Sequence, residues 1–191
     1  DDFNGDNFDH SDLDFLHGGW ISLRQSGRTP ISSNAVPAGT PSFGREFKEQ
    51  SIYHFYRMLS VGTQGASLPH VNNYLDLDPT YTDDQGNPLL RMTFDFYEQD
   101  KNLAKYLGDR IEEILTEMGA KDINVNKEVG PFDIEPYQST HNTGGAIMGD
   151  DPEASAVNSY LQMWDHDNVF VVGASAFAHN GGYNPTGTVG A

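Results

Sequence analysis

The chain has no cysteine, which excludes disulfides, thiolate metal sites and cysteine nucleophiles and leaves the redox compartment undecided. Basic residues are scarce. Eleven Lys and Arg stand against 28 Asp and Glu, for a formal net charge of −17. A surface of that sign repels phosphate backbones and anionic membranes, so no nucleic acid partner is expected. No apolar run approaches the roughly 18 residues that would span a bilayer. The seven histidines are scattered, with neither H-x-x-x-H nor H-x-x-E-H among them, so no metal site and no metal-dependent hydrolysis is expected. Asp1-Asp2-Phe3 carries no Met and no cationic-then-apolar leader, and the chain stops at Ala191 without a closing element. The expectation is part of a longer protein.

What is present suits a globular chain. Its 191 residues are 37% apolar and 12% aromatic, enough for one large or two small domains with a real core. Residues 1–14 are acidic and turn-rich. Read as a calcium loop from Asp2, they put Asn7 where Gly is needed and Leu13 where Glu is needed, so they read as a solvated entry loop. Residues 27–44 hold three prolines and three glycines and predict a long ordered loop. The aromatics of 47–62 keep neither the helical nor the strand period, and His54 is expected among them as packing.

The middle is more regular. Residues 72–79 alternate Tyr74, Asp76 and Asp78 with Leu75 and Leu77, which predicts a half-buried strand. Turn chemistry at 83–88 and a second alternation at 90–96 complete a β-hairpin. Asp76, Asp78 and Asp95 are either a carboxylate cluster or the polar face of a sheet. Leu103, Leu107, Ile111, Ile114, Leu115 and Met118 make one stripe, predicting a helix over 102–118 with Gly119 just past its end. Short strands are expected at 122–126, 157–164 and 168–175, the last buried on both faces. The order predicts an α+β fold, mostly antiparallel sheet with helices on one face.

Three stretches carry the chemistry: "HNTGGAIMG" (141–149), "VVGAS" (171–175) and "GGYNPTGT" (181–188). Asn184-Pro185-Thr186 reads as a helix start, with Asn184 as N-cap and Pro185 at the first helical position. The free N–H groups from Thr186 onward would meet an anion, or a ring that becomes anionic.

In this order, H-x-x-G-(T/G)-x-x-M-G, a buried strand ending at Ala-Ser, and N-P-T-x-T resemble the C-terminal part of the glucose–methanol–choline (GMC) flavoprotein oxidoreductases. "VPAGTPSFG" (36–44), residues 72–96 and "FAHNGGYNPTGT" (177–188) look like the gluconate 2-dehydrogenase and sugar or polyol dehydrogenase branch. The resemblance implies that His141 is the active-site base and Asn184 its partner on the alcohol oxygen. It implies that Gly173 and Ala174 run along FAD, and that Pro185 and Thr186 lie at the flavin pyrimidine edge; many relatives have Asp where Gly173 stands. His179 and Asn180 are near enough in sequence to touch substrate.

Those residue types fit alcohol oxidation. An imidazole, with an ordinary pKa near 6.5, can take the hydroxyl proton near neutral pH. A non-titrating amide can hold the oxygen. No G-x-G-x-x-G string occurs, so the phosphate-cradling FAD half is absent. The resemblance therefore implies a piece of a two-domain flavoprotein. Residues 1–140 would form the substrate-binding part and 141–191 the flavin-facing strip. FAD is expected in the parent but not in this piece. A sugar, polyol or sugar-acid substrate is implied, with a cytochrome and a small subunit as partners and a periplasmic or cell-surface parent. The competing expectation is a non-catalytic carbohydrate-binding or interaction module.

Overall fold

A computed structural model describes residues 9–24, 36–135 and 141–191. Most of the acidic opening, residues 27–35 of the predicted loop, and Ser139 and Thr140 ahead of His141 lie outside the described residues. The elements run β1 (Gly19–Arg24), α1 (Gly44–His54), β2 (Ser60–Gly65), β3 (Tyr74–Thr82), β4 (Pro88–Thr93), α2 (Glu98–Glu117), a 3₁₀ turn (Ala174–Ala176) and α3 (Thr186–Gly190). The fold is α+β, as expected. Among the described residues its strands form two separate two-stranded antiparallel sheets, β1–β2 and β3–β4.

β1 and β2 pair from Gly19 opposite Gly65 to Arg24 opposite Ser60. Successive strand side chains point to opposite faces, and opposed residues share a face. One face carries Ile21, which packs with Phe15, Leu103 and Leu107. Gly65 allows α2 to come close, since a Cβ there would sit 2.9 Å from Leu103 Cδ2. The other face collects Trp20, Ser22 and Arg24 opposite Gln64, Gly62 and Ser60. One face is core and the other is polar with a single indole.

α2 was expected at 102–118 and starts earlier, at Glu98. Asp100 accepts the Tyr97 N–H at 3.0 Å and ties the first turn back. Leu103, Leu107 and Ile111 are buried, while Met118 is exposed, so the stripe leaves the core in the last turn. Burying Leu103 or Leu107 is worth about 1.5–3 kcal/mol each. Gly119, at φ +74°, ends the helix. Its N–H donates to Thr116 O at 2.9 Å and that of Ala120 to Leu115 O at 3.0 Å, the paired bonds of a Schellman stop. Gln99 holds both the N–H and the C=O of Leu16, each at 2.8 Å, strapping the segment before β1 onto α2.

The expected hairpin is present as β3–β4, but it is not half-buried. Leu77 is 63% exposed and Leu90, its partner across the pair, 69%. Among the described residues the glycine loop comes near this apolar face only at Leu75, whose Cδ1 lies 3.6 Å from the Cβ position of Gly145. The three carboxylates form no cluster. Asp76 is paired with Arg91. Asp78 accepts the N–H groups of Thr80 and Tyr81, both at 2.8 Å. Asp95 accepts those of Phe96 and Phe132 at 2.8 and 2.9 Å.

Three predicted strands are not formed. Residues 122–126 contain no strand, and the nearby Lys127 instead lies over Gly108 of α2 and pairs with Asp109 and Glu112. The 157–164 and 168–175 runs make isolated bridges, Val157 to Met163 and Gln162 to Phe170. Asn158 Oδ1 takes the N–H groups of Tyr160 and Gln162 at 2.9 and 3.2 Å, and Leu161 has φ +64°, so the run doubles back. Phe170 and Val172 are exposed rather than buried on both faces. Conversely, α1 arises inside the aromatic stretch that showed no period. It has no buried residue, hence no stripe to read. His54 packs edge-on against Tyr53 at 4.8 Å, as expected.

Candidate active site

The polar face of β1–β2 forms the floor of an open cleft of about 440 Å³, within the size range of small-molecule sites. Trp20, Ser22 and Arg24 line it from β1, and residues 60–64 from β2. His141 and Asn184, from the far end of the chain, complete it. The two side chains expected to work together are therefore brought to one cavity. Arg24 is the one full charge in the lining, and no carboxylate lines it among the described residues. In a chain of charge −17, the cleft is a local exception in sign.

His141 is held from two directions. Its ring Nδ1 lies 2.5 Å from Gln64 Nε2. Its carbonyl accepts the Asn180 side-chain N–H at 2.9 Å. Asn180 is itself fixed by a backbone bridge to Ser67, with N–H···O distances of 2.9 and 3.0 Å, at the end of β2. The Asn180 amide is thus engaged in holding the histidine loop. Gly182 makes this docking possible. It sits at φ +66°, and a Cβ there would fall 2.7 Å from the Ala66 backbone nitrogen, so no other residue fits without moving main chain.

Trp20 links the two halves of the cleft. Its indole N–H donates to Gln64 Oε1 at 3.1 Å, and its ring meets Tyr183, the neighbour of Asn184, at 6.0 Å edge-on. His179 stacks on His17 with ring centroids 4.6 Å apart. Neither Trp20 nor Gln64 was expected from the sequence. The one signal for them was the two-residue alternation of "GWISLR", with Trp20, Ser22 and Arg24 on a common side.

The helix-start reading of Asn184 needs correction. α3 runs only from Thr186 to Gly190, its N-cap is Pro185, and no side chain caps it. Pro185 thus stands one place earlier than expected, and the Asn184 amide is not spent on a cap. Gly173, Ala174, Pro185 and Thr186 are not among the cleft-lining residues. Gly173 has φ +94° with nothing within 4 Å of its Cβ position. The carbonyls of Ala174, Ser175 and Ala176 accept the N–H groups of Gly144, Ala146 and Met148 at 3.1, 2.8 and 2.9 Å. The "VVGAS" segment therefore runs beside the glycine loop that follows His141.

A histidine and an asparagine facing one cleft, joined to a glycine loop laddered against an open backbone strip, is an arrangement suited to working on a small polar molecule. The family model described as GMC oxidoreductase matches residues 69–191. The chain belongs to the GMC oxidoreductase family. It is 46% identical, over its whole length, to the gluconate 2-dehydrogenase flavoprotein of Pantoea cypripedii, covering 31% of that protein. It is 33% identical to the 2-methyl-1,2-propanediol dehydrogenase of Mycolicibacterium austroafricanum over 96% of the chain and 33% of that protein. The fructose dehydrogenase large subunit of Gluconobacter japonicus is 34% identical over 65% of the chain and 22% of that protein. The chain thus spans about a third of the length, or less, of these curated relatives.

Proposed function

We propose that this chain is the substrate-side part of an FAD-dependent dehydrogenase that oxidises a CH–OH group of a sugar, polyol or sugar acid. The observation that carries the reading is the meeting of His141 and Asn184 in one cleft. His141 exchanges a proton with the substrate oxygen, and the Asn184 amide holds that oxygen without titrating. Arg24, at the other end of the β1 face, gives the cleft a positive wall suited to the carboxylate of a sugar acid. The relatives are named for gluconate, a propanediol and fructose, which supports a hydroxylated substrate.

FAD fits the residues present in part. The unencumbered Gly173 backbone and the exposed Val172 beside it leave a strip that a flat ring can approach. Gly173, Ala174, Pro185 and Thr186 would hold that ring, and the phosphate cradle belongs to sequence outside this chain. When bound, the flavin supplies the acceptor for hydride at its N5. A division into a substrate part (1–140) and a flavin-facing strip (141–191), and a cytochrome and small subunit as electron-transfer partners, belong to the same proposal.

The test is His141→Ala in the full-length, flavin-loaded protein. Substrate-driven flavin reduction should slow by roughly 10²–10⁴-fold, the span for losing a proton-transfer group, with flavin content kept. An unchanged reduction rate makes His141 structural and returns the cleft to a binding role. Asn184→Ser and Asn184→Ala should both reduce flavin slowly while melting like the parent, because no cap is lost.

A further inference from the structure

We propose that Gln64 is a positioning residue that sets the tautomer of His141, with Trp20 setting Gln64. An indole nitrogen can only donate. The group 3.1 Å from Trp20 Nε1 must therefore be the Gln64 carbonyl oxygen, which turns the amide nitrogen toward His141. An amide nitrogen also only donates, so the imidazole atom it meets, Nδ1, must present its lone pair. Neutral His141 then carries its ring proton on Nε2. The chain of direction runs from an atom with no choice, the indole N–H, through an amide to the ring.

The sheet register builds this relay. Trp20 and Gln64 are opposed residues of β1 and β2 on the cleft face, so their side chains meet without long-range adjustment. His141 is delivered to the end of the relay by the Asn180 bond to its carbonyl. Reversing the tautomer would set N–H against N–H unless the Gln64 amide turned over, and turning it over would oppose its NH₂ to the indole N–H. Gln64 thereby leaves neutral His141 an Nε2–H, a donor toward the substrate oxygen; the lone pair that a base needs at Nε2 belongs to the other tautomer, reached only when the Gln64 amide turns over. This step rests on the reading above only in giving the tautomer a catalytic consequence.

The test is spectroscopic and needs no substrate. The full-length protein is labelled with 15N-histidine, and the His141 signals are assigned by their loss in His141→Gln. At a pH where the ring is neutral, Nδ1 should show a pyridine-type shift and Nε2 a pyrrole-type shift. Gln64→Glu offers only acceptors, so both should exchange character, with the proton moving to Nδ1. Trp20→Phe releases the amide and should give averaged, intermediate shifts; it keeps the test available should the Glu variant fold poorly. A protonated Nδ1 in the parent protein, or unchanged shifts in a folded Gln64→Glu or Trp20→Phe, overturns the proposal. Because flavin reduction is not the readout, the tautomer can hold even if His141→Ala proves His141 non-catalytic, and the two ideas fail separately.

Discussion

The β1–β2 and β3–β4 pairs are both two-stranded and antiparallel, yet one is packed and the other is not. β1–β2 has α2 on one face, with Ile21 against Leu103 and Leu107, and the cleft on the other. Among the described residues no helix packs substantially against β3–β4, and its Leu77 and Leu90 stay mostly exposed. It is held by local devices: the Asp76–Arg91 pair and the Asp83 turn, whose carboxylate takes the Gln85 and Asn87 N–H groups at 2.9 and 2.8 Å. Strand pairing supplies hydrogen bonds and register but no core. The candidate site stands on the pair that has one, where side-chain positions are fixed from behind.

The largest effect should come from the packed pair. Leu107, 1% exposed, truncated to Ala should cost about 2–5 kcal/mol, the range for buried leucines that leave a cavity; chemical denaturation measures it. A cost near zero would mean that α2 does not secure β1–β2, and the contrast would collapse. Gly182→Ala should cost about 1–3 kcal/mol for its strained backbone position, and more if the Ala66 backbone must shift. Because Gly182 docks the loop onto β2, the same variant should lower flavin reduction in the full-length protein, whereas Leu107→Ala at a temperature below its melt should not.

Acid sharpens the comparison from the other side. Hydrogen bonds and charge hold several hairpin carboxylates below the ordinary value of 3.8: Asp76 through Arg91, Asp78 through the Tyr81 and Thr80 N–H groups, Asp83 through Asn87. A group depressed in the folded state adds stability above its unfolded value and loses it as pH falls through its folded one. In α2, Asp109 is lowered in the same way by Lys127, but that helix is also held by buried Leu103, Leu107 and Ile111, so the hairpin should loosen first as pH drops below about 4, read by amide exchange along the chain. Simultaneous loss in both regions would refute separate anchoring. The smallest effect belongs to Leu77→Ser, expected within about 0.5 kcal/mol as an exposed substitution. A penalty like that of Leu107→Ala would reveal a partner for the hairpin face.

Legibility in the sequence followed the same division. α2 could be read because burial on one side writes a stripe, and Gly119 marks its end; its start could not, because Asp100 reaching back to Tyr97 is no common capping signature. The hairpin was legible from its turn, but its burial was not, since alternation records which residues share a face and not what covers it. The 157–175 run misleads because apolar content alone does not make a ladder, and Asn158 and Leu161 fold the chain back. Motif order singled out His141 and Asn184, and the fold brings both to one cleft. Trp20 and Gln64 were not legible, because the register that opposes them joins positions 44 apart, and no local pattern encodes that choice.

Asn180 has a consequence for the order of assembly. Its side chain joins it to His141 across 39 positions, and Gln64 reaches His141 across 77. The β3–β4 loop closes within a few residues, and such hairpins form in roughly 1–10 μs. Contacts of high sequence separation form slowly, because the intervening chain must first be confined. The backbone bridge from Asn180 to Ser67 spans the whole hairpin and α2, so this stitch is among the contacts that should close late. Strands and helix should therefore gain protection before the histidine loop does, and the cleft should be the last part of the molecule to mature during folding.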